Sequence, residues 1–173
     1  NLGKPQGLNF LLDSIKSTVR LDVFFLIIGS GTEYVRIQKW FEFNQPKNAM
    51  LINNLPKLEY DKLLSVCDVG LIFLNPNFTI PNYPSRLLSY LEMKLPVIAA
   101  TDIHTDIGKD IEDYECGFSV ISGNSDEMEI AIDKVITSLN SSDDIKNNAY
   151  KLLIEKFNVN KSSELILNAT SNN

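Results

Sequence analysis

Six consecutive apolar residues, Val23–Ile28, run straight into Gly29-Ser30-Gly31. An apolar run without polar alternation, rich in aromatic and β-branched types, predicts a strand over Asp22–Ile28 that is covered on both faces, as in a parallel sheet. Four briefer runs repeat the signal at Ala49–Ile52, Val69–Leu74, Pro96–Ala100 and Gly117–Ile121. Between them lie helix-type stretches: Gly7–Thr18, Thr32–Phe43, Lys57–Cys67, Pro84–Met93 and Ser125–Leu139. Strands alternating with helices of this length need right-handed crossovers, so the expected fold is α/β, a doubly wound parallel sheet with helices on both faces.

Helical periodicity supports the assignment. Leu8, Leu11, Leu12, Ile15 and Val19 share one face of the first stretch, and Met128, Ala131, Ile132, Val135, Ile136 and Leu139 share one face of the fifth. Ser125 or Asp126 is the expected cap of the latter. Ile37, Trp40, Phe41 and Phe43 read as core rather than as a base-stacking platform. The last third adds extra C-terminal helices, Asp143–Phe157 and Ser162–Ala169, then a frayed Asn/Ser tail.

The 173 residues suit one domain, 1–173. Apolar residues at 44% and charged residues at 22% exclude a disordered or fibrous chain, and no run approaches a membrane span. A net charge of −6 argues against a nucleic-acid partner. Cys67 and Cys116 are too few for a disulfide framework. They read as reduced thiols of a cytoplasmic protein, with a single bridge as the alternative. The chain opens at Asn1 without a methionine or a leader, so the expectation is no signal peptide and a trimmed or partial chain. The sequons at Asn77, Asn140, Asn160 and Asn168 are taken as coincidental.

In a parallel α/β fold, ligands bind outside the carboxyl ends of the strands. Four loops qualify: Asn1–Gly7, Gly29–Thr32, Asn75–Ser85 and Ala100–Gly108. Gly29-Ser30-Gly31 is either a tight turn or a phosphate loop, since Tyr34 holds the third glycine position of a dinucleotide fingerprint. No P-loop signature occurs. Pro84-Ser85-Arg86 opens a helix, where backbone amides and the Arg86 cation would suit an anion. The same residues equally describe a plain helix start with a solvated arginine. Ala100–Glu115 is rich in Asp and Glu, with His104 the chain's single histidine. It reads as a solvated acidic loop without metal-ligand spacing, and Asp106 as a helix cap. No serine elbow accompanies His104, so serine-hydrolase chemistry is excluded.

The segment Pro84-Ser85-Arg86-Leu87-Leu88-Ser89-Tyr90, followed by Leu95-Pro96-Val97-Ile98-Ala99, resembles the Pro-Ser-Lys…Pro-Val segment of family 4 glycosyltransferases. These are retaining enzymes of the two-domain GT-B fold. Asn1-Leu2-Gly3-Lys4-Pro5-Gln6-Gly7 resembles the glycine loop that opens their donor domain, and Cys67-Asp68-Val69-Gly70-Leu71 resembles a helix-to-strand turn of the same domain. The three segments fall in family order across about residues 1–140. The match is nearest to bacterial surface and capsular polysaccharide transferases.

The resemblance implies a Rossmann-like nucleotide-sugar domain, the C-terminal half of a GT-B enzyme, with the N-terminal acceptor domain absent. It implies a nucleotide-diphosphate sugar as donor, a saccharide or lipid-linked acceptor, and no metal or other cofactor. The full-length enzyme would be cytoplasmic, with peripheral membrane association through the missing half. Gly3, Lys4, Ser85 and Arg86 would take the diphosphate. Lys57 and Ser89 would lie at the base and ribose, Tyr83 at the sugar, and His104 is the candidate for chemistry. Two departures stand out. Gln6 occupies the place of a family lysine, and the family's glutamate pair, eight positions apart, is replaced by Pro81 and Ser89. Alternatives are a non-catalytic nucleotide-binding module and a GT-B-fold epimerase fragment. A receiver-like module is disfavoured because Asp68 starts its strand rather than ending it.

Overall fold

The computed structural model describes residues 2–77 and 83–157. Asn1, Pro81, the sequons at Asn160 and Asn168, the expected helix Ser162–Ala169 and the tail lie outside the described residues. The chain order is α1 (Leu8–Ser17), β1 (Phe25–Ile28), α2 (Tyr34–Asn44), β2 (Ala49–Ile52), α3 (Lys57–Leu64), β3 (Gly70–Phe73), α4 (Arg86–Glu92), β4 (Val97–Thr101), α5 (Asp106–Asp113), β5 (Gly117–Ile121), α6 (Ser125–Ser141) and α7 (Asp144–Lys156). Every strand ladder is parallel, as the unbroken apolar runs require. The ladder comes in two pieces, β1–β2 and β3–β4–β5, with no hydrogen-bonded pairing between β1 and β3 among the described residues.

Successive side chains point to opposite faces of a strand, and both faces here are covered. From β3 and β4, Phe73, Ile98 and Ala100 enter a core with α1 and α6. Their neighbours Ile72, Val97 and Ala99 enter a second core with α4, α5 and α7, where Leu87, Leu91, Ile107, Ile111, Ala149 and Leu152 are fully buried. The result is a three-layer α/β fold with parallel strands in the middle.

Several expectations are corrected. Strand β1 begins at Phe25, not Asp22, and α1 ends before Val19, which is exposed. Phe43 is solvent-exposed rather than core, while Ile37 is fully buried. Helix α6 is capped by Asn124, whose side-chain oxygen accepts from the Glu127 amide at 3.2 Å, not by Ser125 or Asp126. The acidic stretch is not simply a solvated loop. It folds as α5, with Ile107 and Ile111 buried, and Asp106 is its first residue rather than its cap. The turn before it is held by Asp102, whose carboxylate accepts from the His104 amide at 2.7 Å and the Thr105 hydroxyl at 2.6 Å. Both bonds hold the Asp102 carboxyl below its usual range.

Gly117 shows how tightly β4 and β5 are matched. A Cβ there would lie 1.9 Å from the Val97 carbonyl oxygen, a rigid backbone atom. Gly117→Ala is therefore expected to cost about 3 kcal/mol through overpacking and to lower Tm by about 6–12 °C, as read by thermal unfolding.

Candidate functional site

The chain enters along the carboxyl ends of the strands. Leu2 donates its amide to Ser30 O at 2.8 Å, and its carbonyl accepts from the Glu33 amide at 3.0 Å, tying it to the loop after β1. Five residues later Gly7 donates to Phe73 O at 3.2 Å, Gln6 bridges to Leu74, and Pro5 O accepts from the Asn75 amide at 2.9 Å. Residues 2–7 are thus a strap lashed to β1 on one side and to β3 on the other. Gly7 is needed at the crossing, since a Cβ there would press to 2.8 Å from Leu74 O.

Above this strap lies a cleft of about 530 Å³. Its walls are Lys4, Gln6 and Gly7 of the strap, Asn9, Phe10 and Asp13 of α1, Glu33 and Arg36 at the start of α2, Asn75–Asn77 after β3, and Ser122, Gly123 and Ser125 after β5. The loops after three strands therefore converge on one opening. Helix α1 starts at its edge without a side-chain cap. Its Asn9 and Phe10 amides find no acceptor among the described residues. Orphan amides at a helix start favour an anion. Lys4 is exposed and forms no ion pair among the described residues, whereas Arg36 is neutralised by Glu33 at 2.7 Å. Ser122 is held by its hydroxyl donating to Leu74 O at 2.8 Å, which fixes the far wall.

Arg86 approaches from the other side. It is half-buried at the start of α4, and its guanidinium donates to the Gln6 side-chain oxygen. Ser85 precedes it, exposed, and Ser89 lies half-buried one turn further along the helix. The strap thus carries Gly3 and Lys4 and, through Gln6, holds the cation of α4. Tyr60 and Tyr90 also lie within the field of Arg86. Burial nevertheless raises both phenols, that of Tyr90 to about 12, and its hydroxyl donates to Leu71 O at 3.2 Å.

The remaining candidates sit on separate loops at the same end of the strands. Lys57 opens α3 after β2 and pairs with Asp61 at 2.7 Å. His104 follows β4, exposed, and no residue of the Ala100–Gly108 loop lines the cleft. Tyr83 is turned toward α5 and α7. Its hydroxyl donates to Asp110 at 2.6 Å and its ring lies 5.3 Å from that of Phe157. Asp110 is buried and also receives Lys156. Burial first, and the bond to Asp110 second, push the Tyr83 phenol upward.

The described residues contain no group of three or more His, Cys, Asp or Glu arranged to hold a metal, and no helix among them is long and apolar enough to cross a membrane. No local pattern pointed to the Gln6–Arg86 pair, to Arg36 or to the Ser122–Ser125 wall. The last had one available signal, Gly123 closing a strand, which here adopts φ +100°.

The family model described as "Glycosyl transferases group 1" matches residues 1–152. No curated protein matches the chain in sequence. Among solved structures, the sucrose-phosphate synthase of Thermosynechococcus elongatus superposes with a TM-score of 0.74 at 15% identity, over 98% of this chain and 43% of that one. A mutant of S. aureus TarM in complex with Fondaparinux, alpha-GlcNAc-glycerol and UDP gives 0.75 at 20% identity, over 95% of this chain and 32% of that one. The pneumococcal O-GlcNAc transferase GtfA, in complex with UDP and GlcNAc, gives 0.62 at 20% identity, over 95% and 34%. The chain spans less than half the length of each of these structures. At such identities the likeness concerns the fold, a Rossmann-like α/β arrangement shared with GT-B glycosyltransferases.

Two outcomes follow from the geometry. Gly7→Ala should force the strap off Leu74 at a cost of about 2 kcal/mol, lowering Tm by about 4–8 °C in thermal unfolding. Burial pushes the Cys116 thiol to about 12 and also raises that of Cys67. A thiol-specific reagent at pH 7.5 should therefore label half-buried Cys67 slowly, and Cys116 only after denaturant is added.

Proposed function

The chain belongs to the glycosyl transferases group 1 family, and from that premise we propose that it is the donor-binding half of a retaining GT-B enzyme. Its donor is a nucleotide-diphosphate sugar, and its acceptor a saccharide or lipid-linked saccharide in polysaccharide biosynthesis. The reaction needs no metal. The acceptor-binding half lies on the amino-terminal side of the full-length enzyme, which works in the cytoplasm and meets the inner membrane face through that half. Alone, the present chain binds donor without turning it over.

The observation that carries this reading is the cleft over the strap. In it the Asn9 and Phe10 amides of α1 and the Lys4 ammonium have no partner among the described residues, and Arg86, outside the cleft's lining, meets the strap from the other side of Gln6. A diphosphate leaving group gathers negative charge as the glycosidic bond breaks. Fixed amides and cations aimed at that charge stabilise the transition state more than the ground state. Gly3 lets backbone approach the distal phosphate, while Lys4, Ser85 and Arg86 supply donors from two sides. Lys57 and Ser89 lie toward base and ribose. Ser89 offers one hydroxyl where a carboxylate would accept two bonds, so ribose is held less firmly. His104 is the candidate for chemistry on the sugar, although its loop does not line the cleft. Tyr83 reaches the sugar only by giving up its bond to Asp110. Two of the similar structures contain UDP, which agrees with a nucleotide donor.

The test is a thermal-shift series with UDP, GDP, CDP and ADP, each with and without sugars. At 100 times its dissociation constant the correct nucleotide adds about 2.7 kcal/mol, or about 5–10 °C in Tm for a chain of this size. Arg86→Ala and Lys4→Ala should each remove most of that shift with little change in the unliganded Tm. No shift with any nucleotide at millimolar concentration would contradict the proposal.

A further inference from the structure

We infer that buried Asp110 is a positioning residue for Arg86, acting through the hydroxyl of Tyr83. The anchoring follows from geometry alone, whereas its consequence for phosphate rests on the donor-binding reading of Arg86.

Asp110 lies on the face of α5 that enters the second core, one turn after fully buried Ile107. It is itself only 7% exposed. A carboxylate in such a place is unfavourable unless other groups satisfy it. Two groups do so from distant parts of the chain. The Tyr83 hydroxyl donates to one oxygen at 2.6 Å, and the Lys156 ammonium, at the end of α7, donates to the other. The Tyr83 ring also rests 5.3 Å from that of Phe157, which follows α7. A leucine at 110 and a phenylalanine at 83 would serve apolar packing as well. What the carboxylate and the hydroxyl add is direction, because a charge-assisted hydrogen bond fixes where the tip of the ring lies.

None of these four residues lines the cleft. Their bearing on it comes through the chain itself. Tyr83 leads directly into the turn that starts α4, where Leu87 donates its amide to Pro84 O at 3.0 Å and Leu88 to Ser85 O at 3.2 Å. Arg86 lies in that turn, beside Leu87, which is fully buried in the core shared with α5 and α7. The backbone that carries Arg86 is therefore pinned on both sides, at Tyr83 by Asp110 and at Leu87 by the core. Gln6 holds the guanidinium at the far end of the side chain. An arginine fixed at both its backbone and its tip has less freedom left to lose when it meets an anion. Helix α4 offers no substitute for this anchor, since no side chain caps its start.

The experiment uses Tyr83→Phe, which keeps the ring against Phe157, together with Asp110→Ala and Asp110→Asn, the last retaining an oxygen for the Tyr83 hydroxyl. The chain has three arginines, Arg20, Arg36 and Arg86, so their side-chain Nε–H signals can be followed separately by NMR. Without ligand, Tyr83→Phe and Asp110→Ala should quicken exchange of the Arg86 Nε–H with water by roughly 10-fold and leave Arg20 and Arg36 unchanged. Calorimetry with UDP, GDP, CDP and ADP, all free of sugar so that no sugar contact enters, then reads the effect on phosphate. Both variants should weaken the best-bound nucleotide by about 5–10-fold, and Asp110→Asn should restore most of that loss. In an Arg86→Ala background, Tyr83→Phe should add nothing further. Unchanged Arg86 exchange in folded Tyr83→Phe overturns the inference. So does unchanged affinity in both variants, or a loss of affinity that persists in full without Arg86. If the unsubstituted chain binds none of the four nucleotides, the donor reading fails and the phosphate consequence falls with it, while the exchange measurement still decides the anchoring.

Discussion

The hydrogen bonds of residues 2–7 hold together the end of the molecule where the strands finish. Leu2 is fixed to Ser30 and Glu33, and Pro5, Gln6 and Gly7 to Phe73, Leu74 and Asn75. Between those anchors the two sheets share no ladder. Apolar packing joins them further down, through Phe25, Ile27, Phe73, Ile98 and Val120 in one core. At the carboxyl ends, where ligand loops emerge, backbone bonds of the strap set the spacing. The floor of the cleft, the start of α1 and the grip on Arg86 all depend on this one segment.

Charge is used sparingly around the cleft. The chain carries a net charge of −6, yet its two candidate phosphate-binding cations come to the strap from opposite sides. Arg36 is paired with Glu33, and Lys57 with Asp61. Among the described residues, that leaves Lys4 without a carboxylate and Arg86 bonded to a neutral amide oxygen alone. A neutral partner orients a guanidinium without cancelling its charge, which fits the phosphate-binding role proposed for Arg86. Gln6 therefore does something different from the lysine that the resemblance would place there. It adds no cation, but it positions one that lies eighty residues away.

The strands and most helices were legible in the sequence because their apolar periodicity is unbroken. Ala49–Ile52 and Gly117–Ile121 have the same limits in sequence and structure, and α7 differs by a residue at each end. Helix α5 was hidden by its acids. Only Ile107 and Ile111 carry its apolar signal, and Asp110 lies on the buried face because Tyr83 and Lys156 meet its carboxylate from distant segments. Such pairings span 27 and 46 positions and leave no local pattern. The same holds for Gln6 with Arg86, and for the split in the ladder, which depends on how strands assemble rather than on any strand's own residues. The motifs at Gly3-Lys4 and Ser85-Arg86 lie at the carboxyl ends of the strands. They did not reveal that the Asn9 and Phe10 amides of α1, at the edge of the cleft, find no acceptor among the described residues.

The central claim is that a nucleoside diphosphate binds over the strap at the start of α1. The most direct measurement is backbone NMR of the isotopically labelled chain during titration with the nucleotide that shifts its Tm most. The account predicts the largest amide shifts at Gly3–Phe10, with smaller ones at Ser85–Arg86 and Ser122–Ser125. Shifts concentrated instead on α7 or along α3, with Asn9 and Phe10 unmoved, would contradict it.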